Sequence, residues 1–253
     1  MLRIARITRS MLLCFVLVFV VLTPYTPVSA ATDKLPDLGM ARLKDIQIVK
    51  TSDGRRLLRF TTTIVNVGYG AYEVIGQRPD TSTPTMTVKQ RIYDNAGGYY
   101  DLATSAEMFF AGDGHNHWHV KDLQTYELIR KDNGVKVGTG AKSGFCFADG
   151  VRYDPSLPGS PSSGIYSGCG NLSSLSVDMG LSVGWSDTYS WDLAFQYVDI
   201  TGLAPGRYRL QITADYNNYF QESNESNNFT WVDIQLKSKK GTGLKIIAYG
   251  PNV

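Results

Sequence analysis

Arg56-Leu57-Leu58-Arg59-Phe60-Thr61-Thr62-Thr63-Ile64-Val65-Asn66-Val67-Gly68 is dense in β-branched and apolar residues and stops at a glycine. That composition reads as a strand. Shorter runs of the same character surround it, at residues 46–49, 71–75 and 86–93. Residues 117–130 half-alternate up to Lys131-Asp132-Asn133-Gly134, and Asn-Gly is a strong hairpin signal, with residues 135–138 as the returning strand. Later, Arg207-Tyr208-Arg209-Leu210-Gln211-Ile212-Thr213-Ala214-Asp215 alternates with period two, and Phe229-Thr230-Trp231-Val232-Asp233-Ile234-Gln235-Leu236 follows a polar turn. The two runs read as an antiparallel pair closing a sandwich. No 12-residue window beyond the N-terminal leader carries an apolar period of 3.6. The expected fold is all-β, an antiparallel β-sandwich with long loops in a single domain.

The leader itself reads as a signal peptide, residues 1–30. Arg3, Arg6 and Arg9 precede an apolar stretch of about a dozen residues, short for a membrane span, and Val28-Ser29-Ala30 is a small-residue cleavage site. Residues 31–253 form the expected domain, secreted or extracytoplasmic, with no stable membrane span once the leader is cleaved. The leader holds three Arg and no acid, so its removal leaves 22 basic residues against 23 acidic ones. That balance gives no electrostatic case for nucleic acid. Two cysteines remain, Cys146 and Cys169, and an isolated pair in an exported chain is expected to form a disulfide across the Gly-, Ser- and Pro-rich segment between them.

All three histidines stand within five residues, His115-Asn116-His117-Trp118-His119. Alternate strand residues share a face, about 6.5–7 Å apart, so i and i+2 converge on one ion easily. A third ligand needs a twist or bulge, which Gly112 and Gly114 permit. Three imidazoles suit Cu(II) or Zn(II), and Fe(II) less well; spacing does not choose among them. Asp113 and Asp122 flank the run as candidate partners that orient the rings. A second group of oxygen ligands, Asp215, Asn217, Glu222, Asn224 and Asn227, gathers near one turn and reads either as turn chemistry or as a calcium site.

Gly114-His115-Asn116-His117-Trp118-His119 followed by Tyr126-Glu127-Leu128 resembles the copper-binding segment of the lysyl oxidase family. Ala141-Lys142-Ser143-Gly144-Phe145-Cys146-Phe147-Ala148-Asp149 is similar to the family's segment holding the lysine of its quinone cofactor. Asp187-Thr188-Tyr189, continuing through Gln196-Tyr197-Val198-Asp199-Ile200-Thr201 to Pro205-Gly206-Arg207-Tyr208, is similar to the segment holding the cofactor's tyrosine. Glu222-Ser223 and Asn227-Asn228 also match, and the whole covers roughly residues 108 to 236. The resemblance implies Cu(2+) at His115, His117 and His119, and a lysine tyrosylquinone built from Lys142 and Tyr189. It implies an exported copper-dependent amine oxidase, protein-lysine 6-oxidase-like, acting on a primary amine or protein lysine with O2 to give an aldehyde, H2O2 and ammonia. Asp187 and Asp192 are the nearest carboxylates for a base. Gly112 and Gly114 stand where vertebrate members carry an additional His and Cys.

The rival reading is a copper-binding cell-surface β-sandwich module without oxidase activity. A structural domain stabilised by its metal is a further one. A zinc hydrolase is remote, because no glutamate adjoins the histidines.

Overall fold

The strand Arg56–Asn66 is the spine of the molecule. Only Arg59 and Thr63 along it reach partly into solvent. A strand covered on both faces does not alternate, which is why Leu57 and Leu58 are both apolar and both buried. Leu38–Met40 and Lys44–Lys50 pair with it along one edge, and Trp185–Tyr189 and Tyr197–Asp199 along the other, with Val151–Arg152 outside Trp185–Tyr189.

A second sheet runs in the order Gly144–Phe145, His117–Lys121, Tyr99–Ala111, Thr85–Asp94, Tyr72–Gln77, Ser176–Leu181, with Asp33–Lys34 also on Thr85–Asp94. The third runs Lys136–Thr139, Gln124–Arg130, Gly206–Ala214, Phe229–Leu236, Leu244–Tyr249. This computed structural model describes residues 31–253 apart from Asp113 and Lys239, so the expected leader lies outside the described residues. Ala31–Val253 makes one compact unit. Among the described residues every strand pair is antiparallel and no helix occurs, so the fold is an all-β, sandwich-like domain. One hydrophobic core is shared by the three sheets, with Trp118 and Val120 from the second, Phe60 and Ile64 from the first and Leu210 and Ile234 from the third. Phe60 and Tyr126 meet edge to face across it, 5.1 Å between centroids.

Three departures from the sequence reading matter for the site. Residues 117–130 are not one strand. Asp122 adopts a left-handed φ of 50°, so the chain turns there, and His117–Lys121 and Gln124–Arg130 belong to different sheets. The alternating runs do pair, with Tyr208 opposite Ile234, but Leu244–Tyr249 adds outside them, so they lie within their sheet. The long strand Tyr99–Ala111 has no period-two signature, because its first half is exposed on both faces and is held by its ladder to Thr85–Asp94.

Candidate metal centre

His117–Lys121 is clasped on both edges. On one side Phe109 lies opposite His119 and Ala111 opposite His117; on the other Phe145 lies opposite Val120. Alternation sends Trp118 into the core, fully buried, and His117 and His119 to the other face. His119 is itself buried, edge-on to Phe109 with 5.8 Å between centroids. His115 is not on the strand. It sits in a turn in which Gly114 (φ 98°) and Asn116 (φ 55°) are both left-handed, and this folds its ring back over the strand. A side chain at Gly114 would be strained there, whereas Asn tolerates the conformation.

The ring nitrogens converge. His117 Nε2 and His119 Nε2 are 3.0 Å apart, and His115 Nδ1 and His119 Nε2 are 3.5 Å apart. Nitrogens bound at about 2.0–2.1 Å to one ion stand roughly 2.9–3.4 Å from each other at bond angles of 90–110°. The His117–His119 pair falls in that range and the His115–His119 pair 0.1 Å outside it, and one ring nitrogen of each histidine lies within 4.8 Å of the others, so a small movement of the His115 ring closes the set on a single transition-metal ion. Asp113, one of the two carboxylates expected to orient the rings, lies outside the described residues. Asp122 ends the strand: its N–H donates to the Ser143 carbonyl at 2.8 Å and its own carbonyl accepts from Asn217 at 3.3 Å.

Lys142 and Tyr189, 47 positions apart in the chain, are neighbours. Lys142 Nζ stands 4.8 Å from the centroid of the Tyr189 ring and 5.4 Å from that of Phe145, and both Lys142 and Tyr189 are buried. The Phe145 ring meets that of Tyr189 edge to face at 4.8 Å. The Tyr189 hydroxyl is bracketed by one residue: the Cys146 N–H donates to it at 2.8 Å, and it donates to the Cys146 carbonyl. Cys146 is joined to Cys169, the expected disulfide. A cavity of about 320 Å³ has one member of each group, His119 and Lys142, in its wall, with Phe109 and Gly144, and Phe195 beside them. Neither Phe109 nor Phe195 was legible as a site residue. Phe109 sits on the strand that carried no alternation, and Phe195 is in a loop with a left-handed φ of 60°.

Gly144 makes the close approach of these walls. A Cβ there would stand 2.5 Å from Phe109 Cε1 and 2.9 Å from His119 Cβ. Gly144→Ala is expected to cost about 1–3 kcal/mol by overpacking, read from the urea midpoint, and to displace the His119 ring.

The two sequence candidates for a base separate. Asp192 is exposed, with its carboxyl held below the usual range by the Ser190 side chain. Asp187 is half-buried two residues before Tyr189 on the same strand, hence on the same face. Burial pushes its carboxyl up to about 7, opposed by the amides of Thr188 and Ala148 and by the charge of Lys142. A native pKa above the unfolded one means that the folded chain binds the extra proton between about pH 4 and 7. Stability is then fully present below pH 4 and falls as pH rises through 7. Asp187→Asn, uncharged throughout, is expected to be more stable than the native chain at pH 8 by about 2–4 kcal/mol and nearly equal to it at pH 4, as measured by urea unfolding at both values.

Of the second oxygen group, Asp215 and Glu222 come together with Glu225, one oxygen of each within 4.8 Å of the others. Asp215 accepts the amides of Tyr219 and Phe220 at 3.0 Å each, and Glu222 accepts from Leu38 N–H and from Asn228 at 2.8 Å. Asn217 turns instead to Asp122, and Asn224 closes its own turn with Ser226.

Fold and site define a class: an all-β domain in which three imidazoles converge and one of them, His119, shares a cavity wall with a buried lysine that lies over a buried tyrosine. The sequence profile of the lysyl oxidase family matches residues 85–244, well over half of the chain and all of the site just described. The chain belongs to the lysyl oxidase family. It is 34% identical over 181 residues to lysyl oxidase homolog 3A of Danio rerio, covering 69% of this chain and 18% of that protein. Against lysyl oxidase homolog 2B of Danio rerio it is 31% identical over 150 residues, 56% of this chain and 17% of that protein. Against lysyl oxidase homolog 3 of Homo sapiens it is 32% identical over 121 residues, 45% of this chain and 14% of that protein. The chain thus spans less than a fifth of the length of these relatives.

Proposed function

We propose that this chain is an exported copper-dependent amine oxidase that converts primary amines, peptidyl lysine among them, to aldehydes with release of H2O2 and ammonia. In this reading residues 1–30 are its signal peptide, residues 31–253 its catalytic domain, His115, His117 and His119 hold Cu(2+), and Lys142 and Tyr189 supply a lysine tyrosylquinone. The observation that carries it is the placement of Lys142 Nζ 4.8 Å from the Tyr189 ring, with His119 and Lys142 sharing one cavity wall. The disulfide suits an oxidising compartment.

Copper with O2 would supply the oxidation of the phenol, and the quinone would supply the electron sink for the amine. The chain's own residues do the rest. Cys146 aims the Tyr189 hydroxyl with its N–H and carbonyl, and Phe145 sets the ring plane. Lys142 must lose a proton from Nζ before it can bond to the ring. The Asp187 carboxyl, raised to about 7, is a far better acceptor for that proton than an ordinary carboxylate. In this reading a small alkyl amine or a lysine side chain would occupy the cavity whose wall includes Phe109, Lys142 and Phe195.

The test is to purify the protein, load it with copper in air, and run quinone-specific redox staining beside peroxide release from a primary amine. Stain and peroxide together are expected. Copper retention with neither would leave a metal-binding module and overturn the oxidase reading.

A further inference from the structure

One covalent bond links the two halves of this site. At one end Cys146 brackets the Tyr189 hydroxyl with its backbone, and its neighbour Phe145 pairs with Val120 of the histidine strand. At the other end the segment from Cys169 grips Trp118, the residue between His117 and His119. The Trp118 N–H donates to the Cys169 carbonyl at 2.9 Å, and its indole Nε1–H donates to the Asn171 carbonyl at 2.8 Å. Arg78 locks this grip from outside. Its guanidinium lies 4.7 Å above the Trp118 ring and donates to the carbonyls of Leu172 and Ser174.

We propose that the Cys146–Cys169 disulfide is a positioning strut, which holds the Tyr189 hydroxyl in register with the strand bearing His117 and His119. Between the cysteines the chain runs through a Gly-, Ser- and Pro-rich segment, with no strand between Val151–Arg152 and the second cysteine. Without the bond, the Trp118 grip and the Tyr189 clamp would be joined by that segment and by noncovalent contacts alone: the two-residue pairing of Gly144–Phe145, the Asp122 N–H donating to the Ser143 carbonyl, the hydrogen bonds of Asp149 to Tyr166 and Ser182, and the shared core. The histidines themselves depend on a different support, the pairing with Tyr99–Ala111. Loss of the disulfide should therefore separate two properties of the site: metal binding should survive, and alignment of the tyrosine should not.

The consequence for the cofactor rests on the oxidase reading; the geometry of the strut does not. The test is the paired substitution Cys146→Ser with Cys169→Ser, compared with the native chain by two readouts. In metal-free protein, hydrogen exchange at the amides of residues 118 and 146 is expected to rise by about tenfold or more, while the amides of Leu210 and Val232 keep their protection. After copper loading in air, the yield of the peptide joining Lys142 to Tyr189, measured by mass spectrometry, is expected to fall roughly 10–100-fold, with copper affinity changed by less than about threefold. Unchanged exchange at both amides, or a native yield of the joined peptide, would overturn the strut.

If the paired variant loses protection at Leu210 and Val232, it has unfolded, and Trp118→Phe takes its place. This substitution keeps the disulfide and an aromatic ring but removes the indole donor to Asn171. It should raise exchange at residues 118 and 146 and lower the joined-peptide yield by about threefold or more; native values would overturn the strut. A native chain that forms no joined peptide refutes the oxidase reading instead, and the metal-free exchange then still decides the strut.

Discussion

Tyr189→Phe is expected to abolish both the quinone stain and the release of peroxide while leaving copper affinity unchanged. The substitution deletes one atom, the hydroxyl oxygen that accepts from Cys146 N–H and donates to the Cys146 carbonyl. The ring stays packed edge-on against Phe145 and beneath Lys142. Phenylalanine has no oxygen from which a quinone can start, so the loss should be complete and not graded. The two Cys146 backbone groups lose their partner as well, which should lower stability by about 1–3 kcal/mol. A stain reading, a peroxide assay and a calorimetric copper titration on one preparation check the first three statements, and the urea midpoint checks the stability change. Residual stain or peroxide would remove Tyr189 from the cofactor, whatever the copper does.

Second in size is the loss of metal from His119→Ala. Its Nε2 is the nitrogen from which both other histidines are measured, 3.0 Å to His117 and 3.5 Å to His115. It is also the histidine with least freedom, buried against Phe109 on a strand paired at both edges. Removing an outer partner of a metal ligand typically costs 10–100-fold in affinity, so removing the central ligand should cost more than about 100-fold. Copper(II) should also bind the native site more tightly than zinc, since imidazole sites follow that order. Isothermal titration with each ion checks both statements, and an unchanged copper affinity in His119→Ala would strike it from the ligand set.

Much of the fold was legible because most strands bury one face or two, and burial writes itself into the order of side chains. Gly206–Ala214 and Phe229–Leu236 alternate because each has one face in the core. Arg56–Asn66 is continuously apolar and β-branched because it has two. Tyr99–Ala111 was missed because much of it buries neither, and a strand held by ladder hydrogen bonds leaves no periodic trace. The break at Asp122 was missed for a related reason. A single left-handed residue redirects the chain without changing the polarity pattern on either side.

The candidate site divides in the same way. By itself the sequence determined that residues 31–253 are β in pattern, that the histidines fall in one short run, and that Cys146 and Cys169 are the two cysteines in those residues; these are local or compositional properties. Family resemblance, and not spacing, singled out Lys142 and Tyr189. Only the tertiary structure decided that Lys142 lies against the Tyr189 ring, that His115 reaches the other two through a left-handed turn, and that Asp187 and not Asp192 is partly buried and feels the charge of the lysine. Each of these depends on how separate sheets pack on a shared core. The energy of such contacts is felt between residues far apart in the chain, and no local pattern records which distant partner a side chain will meet.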